Sequence, residues 1–331
     1  MSATSSLDVS VVVVSFNTCD LLRDCLQTLK REASDVTYET FVVDNASRDG
    51  SADMVQHEFP EVRLIRSPVN LGFAAANNRA FHLAEGRYIV LLNSDAFIRQ
   101  GALSRAVEHM EKNPTAGLGG ARLVSRDEAW QPSARMFPST LNDFLILSGL
   151  AAKYPRSRFF GRGDRTWADP LEASEVDWVP GAFSIIRQSV LEEIGYFDEA
   201  FFLYNEEVDL CRRIKAAGYN IWYWPDIVVV HLGGESSKTI KRMAMSSSGS
   251  QLTLWRMRSA LLYYRKHHGA MGAWLARGTE TLWHTLRAWK NAGATDPTQQ
   301  AKSEESKTLV TLMQQAWRET QGGITSPARP W

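Results

Sequence analysis

Four short apolar runs, each ending in Asp or Asn, constrain the fold of this 331-residue chain more than any other feature. The first run is VVVVSFN, in which four valines lead to Asn17. The others end at Asp44, at Asn70, and at Asn93 and Asp95. β-Branched runs without polar alternation are typical of strands that are buried on both faces, as in a parallel sheet covered by helices. The runs therefore predict an α/β fold.

The segments between these runs have helical periodicity. Apolar residues recur at helical spacing in DLLRDCLQTL, after the first run, and GFAAANNRAFHLAEG follows the third. Alternating strands and helices indicate βαβ units, and such sheets bind ligands beyond the carboxyl ends of their strands. The polar endings would then line one rim of the sheet. A local alternative is that Asp and Asn stabilise strand-to-helix turns through their own hydrogen bonds.

Composition and motif content exclude several functions. The 37 basic residues balance 37 acidic ones, and 44% of the chain is apolar, which gives no indication of nucleic-acid binding. Three cysteines without CxxC spacing predict reduced packing residues. No apolar run approaches the roughly 18 residues of a membrane span, and the first ten residues lack the basic region of a signal peptide. We therefore expect a cytoplasmic location.

The first strand-to-helix turn, SFNTCD, contains no glycine. The dinucleotide fingerprint and the Walker lysine loop are therefore both absent at this rim. This favours a metal ion as the group that neutralises any bound diphosphate. It also argues against a nucleotidyltransferase, which we expect to carry a phosphate loop rich in Gly and Lys.

Two groups of residues are candidates for chemistry. Asp95 and His231 each end an apolar strand, and both side chains are ligands of divalent metals, although each also suits a turn cap or a structural hydrogen bond. Glu206, Glu207 and Asp209 fall within YNEEVD. One of these carboxylates could accept a proton from an attacking hydroxyl. The alternative is that all three stabilise a helix N-terminus through its dipole.

The last third of the chain predicts a strand pair followed by helices. YNIWYWPDIVVVHLGGES predicts a strand pair that ends at His231, and residues 255–292 predict two helices joined near Gly269 to Gly272. These helices carry a net charge of +6 and four tryptophans, which is compatible either with an anionic membrane surface or with ordinary core packing. The intervening GGESSKTIKRMAMSSSGSQ is a candidate lid or a linker; its anion-binding candidates are Lys238, Lys241 and Arg242.

Seven blocks of the sequence together resemble the glycosyltransferase family 2 enzymes, especially the bacterial rhamnosyltransferase-like group. In chain order they are VVVVSFNTCDLLRDCLQTL, VVDNASRDGS, NLGFAAANN, LLNSDA, WVPGAFSIIR, FFLYNEEVDLCRRIKAAG and VVHLGGES. The match extends from residue 9 to about residue 268.

The resemblance implies a GT-A fold, with a mostly parallel central sheet flanked by helices and a C-terminal helical extension. It implies a nucleotide-sugar-binding half and an acceptor-binding and catalytic half, to which the residue patterns add a lid with basic Trp-rich helices and a C-terminal helix with a tail. These parts correspond to residues 1–100, 101–235, 236–295 and 296–331.

The resemblance also implies inverting transfer of a sugar from a nucleoside diphosphate donor, and it assigns site residues. The donor would be held by Ser15, Asn17, Asp44, Asn45, Asn70, Gly72, Asn77, Asn93, Ser94 and Asp95. Asp95 and His231 would bind Mg²⁺ or Mn²⁺, and Asn93 stands where the family's metal motif begins with Asp. The base would be Glu207, where the family more often has Asp, with Glu206 as the fallback. Asp209 would orient the acceptor or cap the helix.

The expected donor is dTDP-rhamnose, with a UDP-hexose or UDP-N-acetylhexosamine as the alternative. The expected acceptor is a hydroxyl of a cell-surface glycan or of a lipid-linked glycan. Residues 255–292 would then contact the inner face of the cell membrane from the cytoplasm. A non-catalytic protein that binds nucleotide sugars or glycans is the alternative from another functional class.

Overall fold

A computed structural model describes residues 7–33, 35–233 and 247–327. Within these ranges the strands are β1 Val9–Ser15, β2 Tyr38–Asp44, β3 Arg63–Arg66, β4 Tyr88–Leu92, β5 Ala96–Ile98, β6 Ala116–Val124, β7 Trp130–Gln131, β8 Ser174–Glu175, β9 Phe183–Arg187 and β10 Asn220–His231. The helices are α1 Cys19–Glu32, α2 Ser51–Glu58, α3 Phe73–Phe81, α4 Ala102–Lys112, α5 Thr140–Leu147, α6 Leu150–Lys153, α7 Gln188–Ile194, α8 Glu206–Ala216, α9 Ser247–Asn291 and α10 Pro297–Glu319.

All of these strands belong to one sheet, in the order β3-β2-β1-β4-β9-β6-β10-β5, with β7 on β6 and β8 on β10. Strands β3, β2, β1 and β4 are parallel, β9 runs antiparallel between β4 and β6, and β10 is parallel to β6. The predicted helix-flanked, mostly parallel sheet with C-terminal helices is confirmed. One sheet connects the two halves of the chain.

The valines of β1 are buried on both faces of the sheet. Val11 and Val13 pack in the core cluster that includes Leu22 of α1. Val12 points to the opposite face and packs in the cluster that contains Phe41. Since both faces of β1 are covered, an unbroken apolar run is more stable here than an alternating one.

The predicted strand pair over YNIWYWPDIVVVH is wrong, because the structure contains a single strand, β10. Its register against β6 is irregular between Trp224 and Val228, where Pro225 lies. Proline lacks the N–H that a regular ladder requires, and a bulge accommodates it without ending the strand. The Trp-Pro-Asp segment therefore bends β10 and does not form a turn.

The break predicted near Gly269 to Gly272 lies at Gly269, whose φ of 69° interrupts α9. Before this kink, Met257 and Leu261 pack against Met313 of α10, and Trp255 is buried. The first half of α9 is therefore an ordinary packing helix. The lid candidates Lys238, Lys241 and Arg242 lie outside the described residues.

The three cysteines are free thiols, as the sequence predicts. Burial raises the pKa of the Cys211 thiol to about 12, and it raises the pKa of Cys25 as well. Within the described ranges, no helix combines the length and the apolar content that crossing a membrane requires.

We expect the Gly119→Ala variant to be less stable than the wild type by about 2–3 kcal/mol. A Cβ at this position in β6 would lie 1.8 Å from Cζ3 of the buried Trp224, and overpacking a core costs about 1–3 kcal/mol. Gly278→Ala in α9 is the matched control, because its Cβ would meet nothing within 4 Å. That control should gain about 0.5–1 kcal/mol from helix propensity. Urea denaturation of both variants measures the difference, and equal stabilities would contradict the packing described for β6.

Candidate active site

The polar residues that end β1 and β2 lie side by side. Ser15 pairs with Asp44 in the parallel register, and the Asn45 amide N–H donates to the Ser15 carbonyl at 2.8 Å. Asn17 follows with a left-handed φ of 54°, and its Oδ1 accepts a hydrogen bond from the Arg48 N–H at 2.8 Å. The loops after the first two strands therefore form one continuous edge.

Asn45 connects this edge to the loop after β3. Its Nδ2 donates to Asn70 Oδ1 at 2.7 Å, and its Oδ1 accepts from the Leu71 N–H at 2.7 Å. Asn70 Oδ1 also accepts from the Gly72 N–H at 3.0 Å. Local hydrogen bonding thus explains the conformation of both amides, and their contact with a nucleoside stays a prediction.

Gly72 lies directly against the chain that leads into α8. Its φ is 82°, and a Cβ there would lie 2.3 Å from the Phe202 carbonyl oxygen. The same oxygen accepts a hydrogen bond from the Phe73 N–H at 2.8 Å. Asn77 is buried in α3 and donates from Nδ2 to the Phe73 carbonyl at 2.9 Å. The predicted contacts of Gly72 and Asn77 with a sugar or diphosphate stay predictions.

A chain of buried hydroxyls joins the ends of β1 and β4. Ser15 and Thr18 hydroxyl oxygens are 3.0 Å apart, and the Thr18 hydroxyl donates to Ser94 Oγ at 3.0 Å. Asn93 lies beside Ser94 with a half-buried side chain, and its backbone N–H donates to the Ala182 carbonyl at 3.1 Å. These contacts fix the backbone just before Asp95.

Asp44 has an unused acceptor at this edge. The residue is 4% exposed, and its Oδ1 is buried without a hydrogen-bond partner among the described residues. Its Oδ2 accepts from the Ser47 N–H at 3.2 Å. A buried acceptor without a partner is costly, so this oxygen is suited to a donor group of a bound ligand.

The structure brings Asp95 and His231 together, as the sequence predicts. Strand β5 pairs with β10 so that His231 lies opposite Ala96, and Asp95 Oδ1 is 3.5 Å from His231 Nε2. Both side chains are largely buried. Two distant segments of the sequence thus place a carboxylate and an imidazole at one point on the sheet edge.

Gln131 determines which nitrogen of His231 carries the proton. Its Nε2 donates to the His231 carbonyl at 2.8 Å, so its Oε1 faces His231 Nδ1 at 3.1 Å. In the neutral imidazole, Nδ1 is then the N–H donor, and the lone pair of Nε2 faces Asp95. A carboxylate oxygen and an imidazole lone pair that face each other suit a divalent cation, with Gln131 as the outer hydrogen-bond partner.

The described residues contain no group of three or more His, Cys, Asp or Glu side chains that could hold a metal ion. A cation held by Asp95 and His231 therefore needs further ligands from water or substrate oxygens, as Mg²⁺ commonly does. The donor set fits such a cation.

Glu206 and Glu207 open α8 after an unusual turn. Tyr204 and Asn205 both have left-handed backbone conformations, with φ of 72° and 67°. Non-glycine residues rarely adopt this region, and such strain is concentrated at functional sites. The turn places the two glutamates in the first turn of the helix.

Few positive charges lie near Glu206 and Glu207 to stabilise their ionised forms. Burial, together with the negative charge of Glu207, raises the pKa of Glu206 well above its usual range. Burial also raises the pKa of Glu207, which the nearby Arg135 opposes. Each side chain has an Oε2 that is buried without a hydrogen-bond partner in the described part of the chain. The pair can therefore hold one proton and offer one carboxylate to a ligand.

Asp209 differs from the two glutamates because three basic side chains contact its carboxylate. Its oxygens lie 2.7 Å from Lys266 Nζ, 2.7 Å from His267 Nε2 and 2.9 Å from Arg213 Nε. Burial alone would raise the pKa of Asp209, but the hydrogen bonds of His267 and Lys266 and the charge of Arg213 lower it to about 2. Asp209 thus ties α8 to α9, and its expected role toward an acceptor stays a prediction.

Gln131 and Arg135 are site residues that sequence reasoning missed. Both lie in AWQPSAR, a stretch without a recognisable motif, and only the fold brings them to His231 and Glu207.

Comparison with known protein families shows to which family the chain belongs. The family model described as Glycosyl transferase family 2 matches residues 10–195, more than half of the chain. The chain belongs to glycosyltransferase family 2. The match includes the strand endings, Asp95 and the strand β9 that joins the two halves of the sheet.

Two relatives of this family 2 chain are rhamnosyltransferases. N-acetylglucosaminyl-diphospho-decaprenol L-rhamnosyltransferase of Mycobacterium tuberculosis (strain ATCC 25618 / H37Rv) is 30% identical over 237 residues, which cover 67% of this chain and 75% of that protein. Rhamnosyltransferase WbbL of Escherichia coli (strain K12) is 26% identical over 268 residues, which cover 77% of this chain and 92% of that protein. The predicted membership of the rhamnosyltransferase-like group is confirmed.

A solved structure shows the same fold. Mannosyltransferase PcManGT from Pyrobaculum calidifontis, in complex with GDP-Man and Mn²⁺, superposes with a TM-score of 0.53 at 18% identity, covering 95% of this chain and 88% of that one. The predicted GT-A fold is confirmed. Family membership and the relatives together support glycosyl transfer as the activity of this chain.

We expect Asp209→Asn to lower the free energy of unfolding by about 3 kcal/mol at pH 7, because it removes the buried counter-charge of Lys266 and Arg213. The low pKa of Asp209 means that this stabilisation is present above the unfolded value of about 3.9 and is lost as the pH falls toward 2. The difference between variant and wild type should therefore shrink below about pH 4.

Urea denaturation at pH 7 and at pH 3 measures both effects. Asp20→Asn is the control, since it removes the same charge from an exposed pair with Arg23 and should cause little change. A loss of stability that is the same at both pH values would contradict the ion-pair account.

Proposed function

We propose that this family 2 glycosyltransferase moves a sugar from a nucleoside diphosphate donor to an acceptor hydroxyl with inversion. The observation that carries the proposal is the pair of glutamates at the start of α8, buried Glu206 and half-buried Glu207, which have raised pKa values and oxygens without partners among the described residues. In the proposed division of the chain, residues 1–100 hold the donor and residues 101–235 hold the acceptor. A general base that faces an acceptor hydroxyl requires such a group, with a pKa tuned by its surroundings.

Glu207 is the proposed base. It is less buried than Glu206, so an acceptor hydroxyl can approach it, and its ionised form is favoured by Arg135. Glu206, whose pKa the charge of Glu207 raises, would hold the proton that the pair shares. Glu207 would take the hydroxyl proton as that oxygen attacks the anomeric carbon on the face opposite the diphosphate. A single displacement of this kind inverts the configuration.

Asp95 and His231 are the proposed ligands of Mg²⁺ or Mn²⁺. The donor set fits a divalent cation, and the similar mannosyltransferase structure was determined with Mn²⁺. Such an ion, when bound, neutralises the diphosphate and stabilises the charge of the leaving group. Gln131 would keep the His231 ring in the tautomer that can bind it.

The proposed donor is dTDP-rhamnose, with a UDP-hexose or UDP-N-acetylhexosamine as the alternative. The names of the two relatives support rhamnose, and one of them also names a lipid diphosphate as acceptor. The proposed acceptor is therefore a hydroxyl of a lipid-linked glycan, which becomes part of the cell surface. A lipid-linked acceptor would require the enzyme to work at the inner face of the cell membrane.

The second half of α9 supports this location. Its solvent-exposed face, here called the apolar face, consists of Met271, Trp274, Leu275, Leu282, Leu286 and Trp289. The exposed fractions are 66% for Met271 and 78% for Trp289, and the spacing places all six on one side of the helix. Trp283 beside this face contacts Phe144 of α5, which is also exposed. Isolated exposed apolar residues are ordinary, but a continuous apolar stripe marks an interaction surface.

Basic residues favour an anionic membrane as the partner of the apolar face. Lys290 is exposed at the end of the stripe, and α6 is followed by YPRSRFFGR, which is rich in Arg and exposed aromatics. Apolar residues bordered by cations and tryptophans are typical of helices that lie on anionic lipid. Of the predicted contact region 255–292, the proposal keeps only the part that follows Gly269.

We expect Glu207→Gln to reduce kcat/KM by about 10²–10⁴-fold, the usual contribution of a general base. Glu206→Gln should have a much smaller effect, because glutamine resembles the protonated form that the proposal assigns to Glu206. The wild-type rate should fall as the pH decreases through a value above 4.5, because burial raises the pKa of Glu207. Steady-state kinetics with a dTDP-rhamnose donor over a range of pH measure the effects of the two variants and the pH dependence of the wild type.

The matched pair of variants also tests the alternative of a non-catalytic binding protein. Both should bind donor nucleotide as the wild type does, measured by thermal unfolding. If Glu206→Gln abolishes turnover and Glu207→Gln does not, the base is Glu206. If all three proteins bind nucleotide and none transfers a sugar from any tested donor, the chain binds without catalysis.

We expect the chain to co-sediment with vesicles that contain phosphatidylglycerol and to bind phosphatidylcholine vesicles much less. A Trp274→Glu/Leu282→Glu variant should lose this binding, because it places two carboxylates on the apolar face. Leu83→Glu is the control, since Leu83 is 46% exposed on another part of the protein. Equal binding of the double variant and the control would contradict the membrane proposal.

A further inference from the structure

A cavity of about 270 Å³ lies in the segment between α6 and β8, and the mechanism proposed above does not use it. We call it the arginine pocket. Its lining residues are Arg156, Arg158, Arg165, Trp167, Ala168, Asp169, Glu172 and Ser174. Three guanidinium groups beside one cavity of this size are unusual, because like charges repel each other unless a counter-charge compensates them.

The arginine pocket contains hydrogen-bond donors that the protein does not use. Arg165 Nε and Trp167 Nε1 are buried without a hydrogen-bond partner among the described residues. No ion pair is formed by Arg156 or Arg158 in that same part of the chain. Leaving a buried donor unpaired is costly, so a ligand that accepts hydrogen bonds would relieve this cost.

Two of the three arginines are held in position by the protein. Arg158 and Arg165 place their guanidinium carbons 4.8 Å and 5.6 Å from the centre of the Trp167 ring. Arg165 Nη1 also donates to the Glu175 carbonyl at 2.7 Å, which fixes its other end on β8. Guanidinium groups ordered in this way match the oxygens of a phosphate group, and less entropy is lost when the ligand binds.

Two carboxylates in the lining limit the class of ligand. The three arginines of the lining, together with Asp169 and Glu172, give the lining side chains a net charge of +1. Carboxylates repel a free anion but accept hydrogen bonds from hydroxyl groups. The pocket therefore suits a phosphate ester that also carries hydroxyls better than it suits a simple anion.

The residues that precede Arg165 contact both Arg135 and α5. Asp164, next to Arg165, lies 3.4 Å from Arg135 Nη1, and the charge of Arg135 acts on Glu207. On the other side, a Cβ at Gly163 would lie 3.3 Å from Ile146 of α5. Helix α5 in turn contacts α9 beside the apolar face. The segment that carries the pocket therefore contacts Arg135 through Asp164 and α5 through Gly163.

We propose that the arginine pocket binds the phosphate or diphosphate group of a phosphorylated acceptor. The identity of the ligand as an acceptor rests on the proposed function, whereas phosphate binding in the pocket does not. Arg156 and Arg158 would bind the phosphate oxygens, Arg165 Nε and Trp167 Nε1 would complete the site, and Asp169 and Glu172 would face hydroxyls. The site is separate from the donor site at Asp95 and needs no metal.

Calorimetric titration in a buffer with EDTA tests this proposal. The probes are inorganic pyrophosphate and a short-chain prenyl diphosphate whose terminal phosphate carries a sugar with free hydroxyls, because without divalent cations the Asp95–His231 site should not bind a diphosphate. We expect saturable binding to the wild type and to Asp95→Asn. The Arg156→Gln/Arg158→Gln variant should bind at least tenfold more weakly. Arg79→Gln/Arg126→Gln, which removes two positive charges from exposed positions elsewhere, should bind as the wild type does.

The outcomes separate the two proposals. Tighter binding of the prenyl diphosphate than of pyrophosphate, lost only in Arg156→Gln/Arg158→Gln, supports an acceptor phosphate site even if no sugar transfer is found. Stronger binding of pyrophosphate, lost in the same variant, supports a phosphate site and overturns its assignment to a lipid-linked acceptor. Equal binding by both double variants, or loss of binding in Asp95→Asn, overturns the site itself. Near-ultraviolet circular dichroism confirms that the variants are folded.

Discussion

The hydrogen-bond register of one continuous sheet determines the candidate active site. Parallel pairing places Ser15 opposite Asp44, so that the loops after β1 and β2 share an edge. Antiparallel pairing of β5 with β10 places His231 opposite Ala96, which brings its imidazole to Asp95. A shift of either register by one residue would turn these side chains to the other face of the sheet. The apolar runs that build the sheet are therefore as necessary to the site as its polar residues.

Three carboxylates at the start of α8 have opposite environments. Asp209 has cationic partners on two helices, and its pKa is about 2. Glu206 and Glu207 form no ion pair with any of the described residues, and burial raises the pKa of both. The compensated carboxylate stabilises the packing of α8 on α9, and the uncompensated pair is available for proton transfer. Divergent pKa values in neighbouring groups commonly separate a structural role from a chemical one.

Much of this architecture could be predicted from the sequence. Unbroken β-branched runs and the helical periodicity between them were sufficient for the sheet and its helices, because burial on both faces imposes that pattern. The pairing of Asp95 with His231 was also predictable, since both end apolar strands. The predicted strand pair was wrong, because β10 continues through an irregularity at Pro225 and does not turn there.

The outer parts of the site could not be predicted. Gln131 and Arg135 occur in a stretch without a motif, and Lys266 and His267 are far from Asp209 in sequence. Their roles arise from tertiary contacts, which no local pattern encodes. The same holds for the arginine pocket, whose residues look like an ordinary basic loop until the fold shows which donors are buried. The apolar face is similar, since only the structure shows which tryptophans pack inside.

The central claim is that Asp95 and His231 hold a cation that binds the donor diphosphate. The most direct measurement is thermal unfolding of the wild type and of Asp95→Asn with dTDP, UDP and GDP, each with and without Mg²⁺ or Mn²⁺. Ligand at 100 times its Kd stabilises the folded state by about 2.7 kcal/mol, which raises Tm by several degrees. Our account predicts a shift with one nucleotide that requires metal and is lost in Asp95→Asn. A shift that is independent of metal, or that is unchanged in the variant, would contradict it.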